Sequence, residues 1–102
     1  MQTNVHRGEA SLRVGGVALT LRPSFEALVA AEAELGPLFA LVERAAEGRL
    51  ALSEMAALFW HCLAERPEGL TRDGFGDGLV EGGLAVAMPA LRQVLAQVVM
   101  GR

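Results

Sequence analysis

At 102 residues, 52% hydrophobic and 21% charged, the chain has the length of one domain but carries more apolar side chains than so small a globule readily encloses. Its nine basic residues are all arginines, scattered from Arg7 to Arg102 against twelve acids, and a net charge of −3 with no basic stripe argues against nucleic-acid binding. A single cysteine, Cys62, excludes an internal disulfide framework. The polar opening Met1–Arg7 offers no signal region, and Pro89 and Arg92 interrupt the last apolar stretch before it reaches the roughly 20 residues of a membrane span. The bacterial cytoplasm is the expected compartment, and lysine-free, Ala/Gly/Arg-rich usage points to a GC-rich bacterial genome.

Residues 1–8 read as a flexible polar lead-in, followed by one domain over 9–100. Glu9–Val14 and Val17–Leu21 alternate apolar and polar residues around Gly15-Gly16, a pair suited to the positive φ angles of a tight turn. Setting Val14 opposite Val17, Leu12 opposite Leu19 and Ala10 opposite Leu21 puts six apolar side chains on one face. A lone hairpin is marginal in water, so that face must lie on helices.

Helices are predicted over about 24–35, 37–47, 54–65, 72–80 and 84–99. In the first, Phe25, Leu28, Val29 and Glu32 share a face, and Gly36-Pro37 ends it. Leu38, Leu41, Val42 and Ala45 stripe the second, with Gly48 as its stop. Ser53 reads as the N-cap of the third, with Glu54 at the positive end of its dipole and Met55, Leu58, Phe59 and Cys62 on one side. Thr71 could cap the fourth, but Gly74, Gly76 and Gly78 each cost roughly 1 kcal/mol against Ala, so a weak helix or a turn-rich connection is expected there. The last segment spaces Leu84, Met88, Leu91, Leu95 and Val98 in an a/d pattern, with Pro89 either kinking the helix or marking its true first turn after an extended 84–88. The fold class is α+β and mostly helical, an N-terminal β-hairpin packed on four to five α-helices.

The residues carry little that points to chemistry. His61 and Cys62 are adjacent, so on a helix they point about 100° apart and cannot share an ion, and no second Cys or HxxxH pair offers zinc spacing. Asp73–Gly78 resembles a calcium loop only superficially, because Phe75 fills a ligand position and Glu81 comes too early; it reads as a flexible acidic turn. Cys62 lies on an apolar helical face with no base directed at it, and no GxSxG elbow, Walker loop or dinucleotide glycine pattern occurs. An enzyme is not expected, nor a metal or cofactor. Glu32, on the presumed buried stripe, must either accept bonds from an Arg or from the first N–H groups of the second helix, or meet a partner's cation. Trp60 either widens the buried face of its helix or supplies a binding hot spot, and the broad apolar face of the last helix is either central in the core or docked on another chain.

The ordered set Arg7-Gly8-Glu9, Glu32, Leu35-Gly36, Gly48, Leu52-Ser53 and Gly82-Gly83, within the runs HRGEASLRVGGVALTLRPSFEALVAAEAELG, LFALVERAAEGRLALSEMAALFWHCL and VEGGLAVAMPALRQVLAQVV, resembles a family that spans nearly the whole chain. It is the small proteins of the tail-gene clusters of alphaproteobacterial gene transfer agents and related prophages, grouped with phage tail assembly chaperones. The resemblance implies a cytoplasmic protein that holds the tape-measure protein during tail assembly, incorporated transiently or permanently in a phage-like particle. The alternative is a minor tail or tail-tube component that self-assembles into a homo-oligomer. Trp60, Phe59, Leu91 and Leu95 are the expected partner-binding side chains, contacting a tape-measure or other tail protein through apolar helical surface, with neither nucleic acid nor membrane as partner.

Overall fold

A computed structural model describes residues 8–100, so the lead-in expected over 1–8 lies, apart from Gly8, outside the described residues. β1 (Ala10–Val14) and β2 (Val17–Leu21) pair antiparallel in the register the alternation predicts, with φ of +57° and +79° at Gly15 and Gly16. Ala10, Leu12, Val14, Leu19 and Leu21 are buried, whereas Val17, at the tip of the hairpin, is half-exposed. Five helices follow: α1 (Phe25–Leu35), α2 (Leu38–Ala46), α3 (Leu52–Cys62), α4 (Arg72–Gly82) and α5 (Leu84–Met100). The architecture is α+β and mostly helical.

Ser24 caps α1, its hydroxyl accepting from the Ala27 N–H at 3.1 Å. The buried side of α1 is not the Phe25–Val29 stripe. Ala31 is fully buried, with Ala27, Leu28 and Leu35 packed beside it, while Phe25 is 84% exposed. α1 packs chiefly on α3, and alanines let two helices approach more closely than a phenylalanine would. α2 buries Leu38 and Leu41 as its stripe requires.

α3 begins two residues earlier than expected. Its N-cap is Ala51, which has no side-chain acceptor, and Ser53 is exposed inside the first turn. Glu54 compensates: its carboxylate accepts from the Ala51 N–H at 3.0 Å and pairs with Arg44. The helix also stops at Cys62 rather than running to 65. Leu63 leaves it to form a β-bridge with Leu21, where the Arg22 N–H donates to the Cys62 carbonyl at 2.6 Å and the Ala64 N–H to the Thr20 carbonyl at 2.9 Å. The outer edge of β2 is thereby partly covered.

Asp73–Gly78, read from sequence as a flexible acidic turn, is helical. Thr71 caps α4 by accepting from the Gly74 N–H at 3.0 Å, and Gly78 is buried against Val14 of β1, where an added Cβ would lie 2.4 Å from Val14 Cγ1. Close approach of α4 to β1 repays the helix-propensity cost of that glycine. Gly83, at φ +86°, then breaks the chain, and α5 sets off at 115° to α4. α5 is helical from Leu84, so 84–88 is not extended and Pro89 sits inside the helix on its exposed side. Among the described residues no single helix is long and apolar enough to cross a membrane. The core joins the inner face of the hairpin to α3, α4 and α5 around Phe59 and Phe75, both fully buried; each contributes about 1.5–3 kcal/mol by leaving water.

Candidate interaction surface

Two of the four side chains expected to meet a partner are interior. Phe59 is fully buried and Leu91 is 5% exposed. Both belong to the buried cluster that also holds the inner face of the hairpin, which α4 and α5 cover directly. Leu95 is half-buried at the rim of the core. Trp60 is also half-buried, tilted against Phe75 at 5.8 Å between ring centroids and covered from outside by the Arg66 guanidinium 4.4 Å from its ring. Arg66 additionally donates to the Trp60 carbonyl at 3.1 Å, fixing the α3–α4 connection over the indole.

Glu32 points away from the core and is exposed; its carboxylate accepts from the Leu38 N–H at 3.2 Å, capping α2, whose own N-cap residue, Pro37, offers no side-chain acceptor. A polar centre absent from the sequence reading is Glu34. It receives Arg72 of α4 and, at 2.8 Å, His61 Nε2 of α3, so one carboxylate at the end of α1 ties three helices together. The Arg72 guanidinium first, and His61 second, hold its carboxyl down at about 2. Separations of 27 and 38 residues leave no local signal for this cluster. Glu9 was legible in principle: extending the hairpin register by one pair sets it opposite Arg22, and Arg22 Nε donates to its buried carboxylate at 2.5 Å. Burial pushes the Cys62 thiol up to about 12, keeping it protonated and unreactive. Among the described residues no three metal-donor side chains come together.

What the surface does offer is apolar. Phe25 and Val29 stand exposed four residues apart on α1, and Phe39 on α2 is 67% exposed. An open groove of about 820 Å³ runs between the start of α3 and α4, with Leu52 and Val80 exposed along it, Ala56 and Gly76 among its lining, Asp73 and Asp77 on the α4 wall, and the Glu34–Arg72 pair bordering it. Its shape suits a helix or loop of another protein.

Residues 7–101 match the model of a protein family described as phage tail tube protein, GTA-gp10. No curated protein matches the chain. No solved structure matches it either.

Proposed function

This chain belongs to the phage tail tube family GTA-gp10, and from that premise we propose that it is a structural component of a gene-transfer-agent-like tail, working by protein–protein contact rather than catalysis. The observation that carries this reading is the reach of the match. Residues 7–101 take in the hairpin and all five helices, so the family resemblance belongs to the entire fold and not to a shared fragment. The exposed Phe25, Phe39 and Val80 support it, since large apolar side chains in water favour association with another surface.

A second reading, a tail assembly chaperone that holds the tape-measure protein and then leaves, is favoured by the sheet. Two five-residue strands are little material for a tube wall, whereas helical faces and an open groove suit a helical client. The family description favours the structural component. Deleting the gene tests the role common to both: the expected particles are DNA-filled heads without tails in electron micrographs, restored by the wild-type gene in trans. Tails of normal length and number in the deletion strain would overturn it.

A further inference from the structure

The outward sides of α4 and α5 differ in kind. On α5, Ala87, Ala90, Leu91 and Val94 turn into the core, and the opposite side carries Ala85, Pro89, Arg92, Ala96 and Val99, all exposed and spaced four, three, four and three residues apart as one stripe. Arg92 is the sole charge on this helix, and among the described residues no ion pair engages it. On the α3–α4 groove the charges are Glu34 and Arg72, which neutralise each other, together with Asp73 beside Arg72 and Asp77, for which the described residues provide no ion pair. The groove is lined by the small residues Ser53, Ala56 and Gly76; at Gly76 even an added Cβ would meet nothing within 4 Å, so another backbone can come close.

A nearly uncharged stripe with one cation outside the described ion pairs and a groove of small residues with one such carboxylate, Asp77, are complementary, and one chain carries both. We propose that the α5 stripe of one copy seats in the α3–α4 groove of the next, Arg92 against Asp77, head to tail. At 1.5 Å per residue the 17 residues of α5 make a ridge of about 25 Å, and the groove, lined on α4 from Arg72 to Val80, takes up roughly half of it. Stripe and groove are different surfaces, so the contact is heterologous: every joined pair keeps one free stripe and one free groove, and growth leads to a ring or a filament. The proposal rests on the structural-component reading for its purpose.

The test uses the full chain as wild type, Arg92→Glu and Val80→Glu, followed by native mass spectrometry and sedimentation velocity, with circular dichroism as the check on folding. Wild type is expected to form species larger than a dimer by about 100 µM, a concentration that populates interfaces of ordinary affinity. Each variant alone is expected to be monomeric, because one spoils the stripe and the other the groove. Their equimolar mixture is expected to stop at a 1:1 dimer, since the intact stripe of Val80→Glu fits the intact groove of Arg92→Glu while the remaining junction opposes two acidic surfaces. Gly76→Glu, at a position where an added Cβ would meet nothing within 4 Å, replaces Val80→Glu as the groove variant if the latter loses its helical signal. Monomeric wild type, variants that assemble like wild type, or a mixture that grows past the dimer would overturn the contact. A monomeric wild type that is nonetheless a permanent constituent of tails would remove this contact and leave the structural-component reading standing.

Discussion

At Gly78 a hydrogen atom occupies the place where a methyl group would strike Val14, and two residues earlier Gly76 has open space around it. The same substitution therefore has opposite signs on one helix. Gly76→Ala is expected to stabilise by about 0.5–1 kcal/mol through helix propensity, and Gly78→Ala to destabilise by about 1–3 kcal/mol through overpacking. Urea midpoints at low micromolar protein check this, and shifts of the same sign would contradict it. Glu34 sets a pH dependence. Its carboxyl falls from 4.5 in the unfolded chain to about 2 in the fold, so the folded state gains stability from the ionised group above the unfolded value and loses it as pH drops from 4.5 towards 2. The side chain is 39% exposed, so water and salt screen the effect and its amplitude is small. Glu34→Gln should flatten the fall in Tm across that acidic window; curves that stay parallel to wild type would show that the carboxylate makes no such contribution.

Among the elements, α2 depends on a residue outside itself. Its start is capped by Glu32 of the preceding helix, so Glu32→Ala should cost about 1 kcal/mol and Glu32→Gln, which keeps an acceptor but loses the charge at the dipole, roughly half that. Thermal denaturation of the two variants decides it, and equal losses would mean that the oxygen acceptor contributes nothing. The hairpin was readable because alternation and a Gly-Gly turn specify both strands and register, and α2 because a single apolar stripe leaves one way to lie. α1 was misread for the opposite reason: Phe25, Val29 and the alanines at 27 and 31 offer two competing faces, and only the close approach of α3 selects the smaller one. The end of α3 at Cys62 was hidden because the β-bridge that stops it pairs Leu63 with Leu21, far away in the chain. Phe59 and Leu91 are interior because α3 and α5 both contribute to the one core that also holds the hairpin face, a packing that the spacing within either helix does not reveal.

On the scale of the molecule, the core beneath the sheet encloses Phe59, Phe75, Leu91 and Val94, while Phe25, Phe39, Leu52, Val80 and the outer stripe of α5 stay exposed. Surface of that kind is expected of a subunit whose neighbours complete it, and it is consistent with membership of a tail tube family. The groove could not be foreseen from spacing, since it arises where α4 crosses the start of α3, and that crossing depends on Gly78 meeting Val14. A structural component remains in the finished tail, whereas a chaperone leaves it. Quantitative peptide mass spectrometry on finished, density-purified particles separates the two. The structural-component account expects peptides of this chain at a fixed stoichiometry, in multiples set by the symmetry of the tail; their absence from particles whose tails depend on the gene would contradict it.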